Sequence, residues 1–315
     1  MNIGLDIMGG DFAPDATIDG VILALQSLSS SDRIFLFGDE EVIKSKLKER
    51  NFESNQFTIV HAPDMIGMSE QPIKAFTQKP HSSISIGFHF LKEGKIDAFS
   101  SAGNSGAMVV GSMYSMEMIE GITRPCTAVV LPKENGGSTF LLDIGTNPDP
   151  KPEMMYQFGI LGSVYARYVY NVENPRVGLL NIGAEAEKGN LLTQASYKLM
   201  KDSQHFNFVG NVEGRDILLD TADVVVCDGF TGNVVLKQLE SMYHLLKKRG
   251  LYDDFVERMN YENFGGTPIL GIKSTVMVGH GISNDTAIKN MILLTKNVHE
   301  AKLSLKIQGE LQKHS

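Results

Sequence analysis

Apolar residues in the first hundred positions come in short runs separated by longer periodic stretches. Ile3-Gly4-Leu5 predicts a strand, after which Ile18, Val21, Ile22 and Leu25 recur at helical spacing. Arg33–Phe37 predicts a second strand, Asp39–Lys48 an amphipathic helix, and Phe57–Val60 a third strand. Ile84–Leu91 reads as helix and Asp97–Ser101 as strand again. Such alternation indicates the α/β class, a mostly parallel sheet with flanking helices. Cys126–Leu131 and Thr139–Leu142 enclose the turn Glu134-Asn135-Gly136-Gly137, which predicts an antiparallel hairpin inserted into that sheet. Met154–Tyr170 then predicts a helix, and Val177–Leu180, Phe206–Val209 and Val224–Cys227 further strands.

From Val234 to Met259 the pattern is helical, with Val235, Leu239, Met242 and Leu246 forming one apolar stripe. Core packing or a subunit contact is the plain use of such a stripe. The neighbouring Lys247-Lys248-Arg249 keeps a membrane surface open as the alternative. No repeat, low-complexity tract or linker divides the chain. A single domain over residues 1–315, with room for two lobes, is expected.

The strands end in a recurring way. The first runs into Asp6, Gly9, Gly10 and Asp11, and Asp97–Ser101 runs into Gly103, Asn104, Ser105 and Gly106. Thr139–Leu142 leads to Asp143, Gly145, Thr146 and Asn147. Val177–Leu180 leads to Asn181, Gly183, Glu185, Lys188, Gly189 and Asn190. Phe206–Val209 is followed by Gly210-Asn211, and Val224–Cys227 by Asp228, Gly229, Thr231, Gly232 and Asn233. In an open parallel sheet ligands bind outside the carboxyl ends of the strands. Glycine lets the backbone approach a ligand, Asn, Ser and Thr supply neutral hydrogen bonds, and a helix starting there favours an anion. One such loop is an ordinary turn; six together predict a polar, phosphate-accepting site.

Composition narrows the field. The net charge of −8, from 29 basic and 37 acidic residues, argues against nucleic acid, whose phosphates need a basic excess. Two distant cysteines, Cys126 and Cys227, lie in apolar runs and read as small buried hydrophobes, not as a disulfide or metal pair. The absence of a leader-like start and of any run near 20 apolar residues points to the cytoplasm. No phosphate-binding GxxxxGK[ST], dinucleotide GxGxxG, HExxH or calcium-loop spacing is present, so no cofactor or metal is expected. Residues 103–107 resemble a GxSxG nucleophile elbow with Ala107 in the last place, and Asp228 and His280 follow in hydrolase order. A serine acyl-thioester hydrolase using Ser105 therefore stays as an alternative, although its oxyanion-loop signature is missing.

These loops carry a family resemblance. Residues 6–11 (DIMGGD), 101–107 (SAGNSGA), 121–125 (GITRP), 181–183 (NIG) with 188–190 (KGN), 228–234 (DGFTGNV) and 279–284 (GHGISN) resemble the phosphate acyltransferase family, the PlsX-type enzyme of bacterial phospholipid synthesis. With Tyr261–Gly271, the likeness runs from Met1 to about Gln308. It implies a fold similar to the isocitrate and isopropylmalate dehydrogenases and to phosphotransacetylase. It also implies a homodimer that moves an acyl group from acyl carrier protein to inorganic phosphate. The acyl phosphate would pass to a membrane glycerol-3-phosphate acyltransferase, with a peripheral seat at the inner face of the cell membrane. The region between Gly232 and Tyr261, linked in the family to membrane contact, is shorter here, and Ser105 stands where Thr is more frequent. A non-catalytic regulator that binds the acyl carrier is the remaining alternative.

The chemistry does not need an activated serine. Phosphate is largely dianionic near neutrality, with a second pKa of roughly 6–7. A thiol of pKa about 8.5 leaves without strong acid assistance. Positioning and stabilisation of the tetrahedral oxyanion then suffice. The expected roles are Gly103, Asn104, Ser105 and Gly106 as the phosphate cradle, with Lys188 as the orienting cation. Asn233 and Thr231 are the expected oxyanion donors, and His280 the proton source for the thiolate or a phosphate ligand. Asn147, Asn181 and Asp228 complete the substrate-binding set, and Asp6, Asp11, Asp143 and Asp228 are expected to hold loop amides or orient Lys188. Arg124 and Arg215 read as anion ligands or ordinary surface arginines. Met65–Ser69 is read as core packing or as a lining for the acyl chain. Lys247–Arg249 with Arg258 is the expected docking face for an acidic carrier.

Overall fold

The structure, a computed structural model, describes residues 1–313. In chain order the elements begin with β1 (Asn2–Asp6), α1 (Asp15–Leu25), β2 (Arg33–Gly38), α2 (Glu40–Glu49) and β3 (Phe57–His61). Next come α3 (Pro72–Gln78), α4 (Ser83–Lys92), β4 (Ala98–Ser101) and α5 (Ser105–Ser115). The middle holds β5 (Cys126–Pro132), β6 (Ser138–Leu142), α6 (Pro152–Val169), β7 (Arg176–Asn181) and α7 (Leu191–Met200). It continues with β8 (Asn207–Glu213), β9 (Val224–Val226), α8 (Gly229–Lys248) and α9 (Asp254–Glu257). The chain closes with β10 (Gly266–Leu270), β11 (Thr275–Gly279), α10 (Asp285–Glu300) and α11 (Leu303–Gln312). Two compact units result: Met1–Glu117 with Tyr261–Glu300, and Met118–Asn260 with the segment from Ala301.

The first unit orders its strands β3-β2-β1-β4-β11-β10. All neighbours are parallel except β10 and β11. Successive strands step outward from β1 to β2 and β3, and the chain then returns to place β4 on the other side of β1. The order reverses between β1 and β4, the place where open α/β sheets put their ligand sites. The core beneath is aromatic: Phe37, Phe88 and Phe99 are fully buried and meet edge to face, with centroids 5.3–5.7 Å apart. Gly87 admits Phe99, since a Cβ there would fall 2.2 Å from the ring.

The second unit orders its strands β5-β6-β9-β7-β8, with β5 and β6 as the predicted antiparallel hairpin and the others parallel. Its apolar core includes Leu131, Leu141, Leu180, Val212, Val225 and Cys227. At the strand ends away from the loops, Lys133 is buried against Asp223 and Asp220, and Arg176 bonds both carboxylates. Burial works against the Asp223 anion, but the bonds from Arg176 and Lys133 outweigh it and hold its carboxyl at about 2.

The α/β architecture, parallel strands, flanking helices and hairpin agree with the hydrophobic pattern. Two boundaries differ. The strand expected to stop at Val209 continues as β8 to Glu213, because the pairing slips between Val177 and Gly178 and Gly210 takes φ +93°. Gly210-Asn211 is therefore strand, not loop. The helix expected from Val234 begins at Gly229, since the Asp228 carboxylate caps it through the Thr231 amide. It stops near Gly250, which takes φ +68°, and α9 restarts on an Asp253 cap. Within the stripe, Val235 and Leu239 pack on the core, whereas Met242 is exposed. Among the described residues no helix is long and apolar enough to cross a membrane.

Candidate active site

In the first unit, the loops leaving β1 and β4 are held together by Asp6. This carboxylate is buried and accepts hydrogen bonds from the Met8 amide at 3.0 Å and the Ser101 hydroxyl at 2.7 Å. Ser101 Oγ in turn accepts the Gly103 amide at 2.9 Å. Desolvation raises the Asp6 pKa above the usual carboxylate range, against the bonds from Ser83, Ser101 and the Met8 and Gly9 amides. Gly9 closes this packing: a Cβ would lie 2.4 Å from Asp6 Oδ2 and 2.7 Å from the Gly103 nitrogen.

Asn104 caps α5 by accepting the Ala107 amide at 2.9 Å. Its Nδ2 donates to the carbonyls of Gly67 and Glu70 at 3.0 Å and lies 3.3 Å from that of Met68. The whole Asn104 side chain is thus committed to structure. Ser105 and Gly106 head the helix, where amides have no intrahelical acceptor and the dipole favours an anion. Ser105 is exposed, and its hydroxyl has no histidine partner among the described residues. His280 follows β11 in the same unit. Its ring lies 5.0 Å from that of Tyr261, and its carbonyl accepts the Ser283 amide at 2.9 Å and the Ser283 hydroxyl. The Asp11 amide donates to the Gly281 carbonyl at 2.8 Å, tying the loop after β1 to the turn after β11.

In the second unit the organising group is Asp143, at the end of β6. It is fully buried and accepts five hydrogen bonds, from the Thr127 amide and hydroxyl, the Thr146 amide, and the Asn147 amide and side chain. Asn147 also donates to the Pro125 carbonyl at 2.8 Å, and its own carbonyl accepts the Gly229 amide. The first turn of α8 therefore sits directly on the 143–147 loop. Only glycine fits there, since a Cβ on Gly232 would fall 1.9 Å from the Asp143 carbonyl oxygen.

The Asp228 carboxylate accepts both the amide and the hydroxyl of Thr231 at 2.8 Å, so that hydroxyl proton is engaged in the cap. Asn233 donates once to the Ile144 carbonyl at 3.2 Å, which leaves its second amide hydrogen for a ligand. In the loop after β7, Asn181 Nδ2 donates to the Lys188 carbonyl at 3.1 Å. Lys188 itself is exposed, and its ammonium has no carboxylate partner among the described residues.

The predicted residues thus fall into two groups. Gly103, Asn104, Ser105, Gly106 and His280 belong to the first unit, while Asn147, Asn181, Lys188, Asp228, Thr231 and Asn233 belong to the second. Asp6, Asp143 and Asp228 hold loop amides, as their strand-end positions implied. Ser101 and Thr127 support those bonds without having been given a role, and no local signal marks them, since Ser101 lies 95 residues from Asp6 and Thr127 16 from Asp143; Thr146 was named only as part of its strand-end loop. Burial pushes the thiols of Cys126 and Cys227 well above their ordinary range, so neither supplies a thiolate. Arg258 is spent on the hairpin turn, donating to the carbonyls of Lys133, Gly136 and Gly137. Arg215 pairs with Glu213 at 2.7 Å. The second unit also has a surface cavity of about 650 Å³ along α6 and α11, lined by none of the predicted site residues.

Comparison with known proteins agrees with this layout. The sequence model of a family described as "Fatty acid synthesis protein" matches residues 1–250. A phosphate acyltransferase of Thermoanaerobacterium thermosaccharolyticum is 43% identical over 331 residues, spanning 99% of this chain and 97% of that protein. The Bacillus subtilis phosphate acyltransferase is 38% identical, spanning 99% and 98% of the two chains. Among solved structures, a phosphotransacetylase from Streptococcus pyogenes superposes with a TM-score of 0.67 at 14% identity, covering 95% of this chain and 94% of that one. A branched-chain phosphotransacylase from Enterococcus faecalis gives 0.63 at 13% identity, covering 95% and 99%. These structures share the fold. The sequence relatives share far more, at near-complete length, and on that ground the chain belongs to the phosphate acyltransferase family, enzymes of fatty acid and phospholipid synthesis.

Proposed function

We propose that this acyltransferase moves an acyl group from the thioester of acyl carrier protein to inorganic phosphate, releasing acyl phosphate and free carrier thiol. One observation carries the reading. The head of α5 lies where the strand order reverses between β1 and β4, and its Asn104 cap consumes the Ala107 amide but leaves those of Ser105 and Gly106 for an anion. A phosphate oxygen attacks the thioester carbonyl carbon, a C–O bond forms, and the tetrahedral oxyanion collapses with cleavage of the C–S bond. The thiolate then takes up a proton, for which His280 is the assigned source.

Lys188 is the proposed cation for phosphate and Asn233 the proposed donor to the oxyanion. Thr231 and Asp228 shape the loop that presents Asn233. The Asn147 and Asn181 side chains likewise bond their own loops, and their proposed part is to hold backbone in place for substrate. A homodimer, acyl carrier protein, and delivery of the product to a membrane glycerol-3-phosphate acyltransferase belong to the same proposal, as do cytoplasmic residence and a peripheral seat on the membrane. The basic segment Lys247–Arg249 is the proposed carrier contact, without Arg258.

The test is direct. Purified protein with acyl carrier protein thioester should lose thioester only when phosphate is present, and acyl phosphate should accumulate in equal amount. Thioester loss that ignores phosphate would establish a hydrolase instead, and binding without turnover a regulator.

A further inference from the structure

The segment between β3 and α3 is apolar at its tip yet is not core. Met65 is 48% exposed, Met68 44% and Ile73, at the start of α3, 49%, whereas Ile66 between the two methionines is buried. A loop with exposed methionines ordinarily wanders, but this one is bolted down. Lys79 Nζ donates to the Met65 carbonyl at 2.9 Å and pairs with Glu70 at 2.6 Å. The Gly67 amide donates to the same Glu70 carboxylate at 2.7 Å. The Asn104 side chain takes the carbonyls of Gly67 and Glu70, as described above.

One end of this shelf adjoins the head of α5 and the other the turn after β11. Pro72 lies under Gly106, where an added Cβ would fall 2.4 Å from its Cγ. The Met68 methyl rests on Gly281, where an added Cβ would fall 2.6 Å from Cε. Phe12, 55% exposed, follows the Asp11 whose amide bonds the Gly281 carbonyl.

We infer that Met65, Met68 and Ile73 seat the acyl chain of the substrate, and that Asn104 is a positioning residue fixing this seat relative to the phosphate loop. The inference rests on the proposed function for the identity of the occupant. Flexible, polarisable thioethers suit a chain of variable length, because they adapt their shape without leaving voids. Asn104 serves the seat and the cradle through different atoms, Nδ2 for the shelf carbonyls and Oδ1 for the helix cap. The offset between the shelf and the head of α5 is therefore set by one rigid side chain.

The seat can be tested without turnover, by calorimetric titration of butyl phosphate against octyl phosphate. Wild-type protein should bind the octyl compound roughly 15-fold tighter, the effect of about half-burying four methylenes. Met65→Ser with Met68→Ser should reduce that ratio to about threefold. Met68→Leu should preserve it. Asn104→Asp keeps the cap acceptor and loses the donors to the shelf. Its ratio should collapse in the same way, whereas a purely structural weakening would lower both affinities and leave the ratio alone. Equal affinity of wild type for the two probes, binding of neither, or an undiminished ratio in the serine variant would overturn the seat. A change of oligomeric state in light scattering with the ratio intact would assign the patch to a subunit contact and overturn it as well. A normal ratio together with no acyl phosphate in the transfer assay would instead remove the function and leave an alkyl-anion site.

Discussion

The two units fix their strand-end loops with the same residue type in different settings. In the first unit Asp6 lies where the strand order reverses, and burial leaves its carboxylate short of solvation. In the second unit β9 inserts between β6 and β7, and Asp143 gathers five donors from the adjoining loops. Five donors replace much of the water that a buried carboxylate gives up; the bonds at Asp6 do not. The difference teaches that a buried strand-end aspartate is not one kind of feature. Asp143 is a structural hub, whereas Asp6 is a strained support whose main load is the Ser101–Gly103 relay under the phosphate loop.

The largest effect should therefore come from removing the hub. Asp143→Ala strands buried donors and should cost about 3 kcal/mol in urea unfolding, while Asp6→Ala should cost roughly half as much. Equal losses would break the comparison. Next in size is a pH dependence of opposite sign at two carboxylates. Asp223, held at about 2, lends stability that is complete above the ordinary value of 3.8 and is lost as pH falls toward 2, about 2 kcal/mol in all. Asp6, raised above 3.8, lends stability that is complete below that value and is lost as pH rises through its folded value. Thermal midpoints of Asp223→Asn and Asp6→Asn, each referred to wild type from pH 2 to 7, should diverge in these directions; parallel curves would refute the assignment.

The smallest effects separate the two clusters in function. Lys188→Ala should raise the KM for phosphate about tenfold, the loss of one charge-assisted bond, with the thermal midpoint unmoved because the side chain is exposed. An unchanged KM would remove Lys188 from phosphate binding. Ser105→Ala should alter turnover by no more than about threefold, since its amide and not its hydroxyl is proposed to meet phosphate. Complete loss there would return Ser105 to the role of nucleophile.

Much of this was legible along the chain. Short apolar runs and the helical period marked most strands and helices, the Gly-rich turn marked the hairpin, and the Gly–Asn–Ser–Asp strand ends marked the loops, because these signals are local in sequence. Illegible were the positions where a long-range contact overrides the local pattern. The slip opposite Gly178 carries β8 through Gly210, whereas the earlier start of α8 rests on a local polar signal, the Asp228 cap on Thr231, that the apolar stripe does not register. The Met65–Ser69 segment reads equally well as core or as lining, and only its Asn104 and Lys79 anchors decide that Ile66 turns in while Met65 and Met68 stay out.

The sequence by itself determined the class of fold, the family, and which loops are candidates for the site, since each depends on residue types read at fixed spacing. Tertiary structure alone decided what each polar side chain is free to do. Asn104 and Thr231 look like ligands in sequence and are spent on caps and tethers in the fold, while Lys188 and one hydrogen of Asn233 remain uncommitted. The physical reason is that a hydrogen bond is a choice among partners, some three residues away, as Asp228 is from Thr231, and some 34 away, as Glu70 is from Asn104, and folding decides which are met.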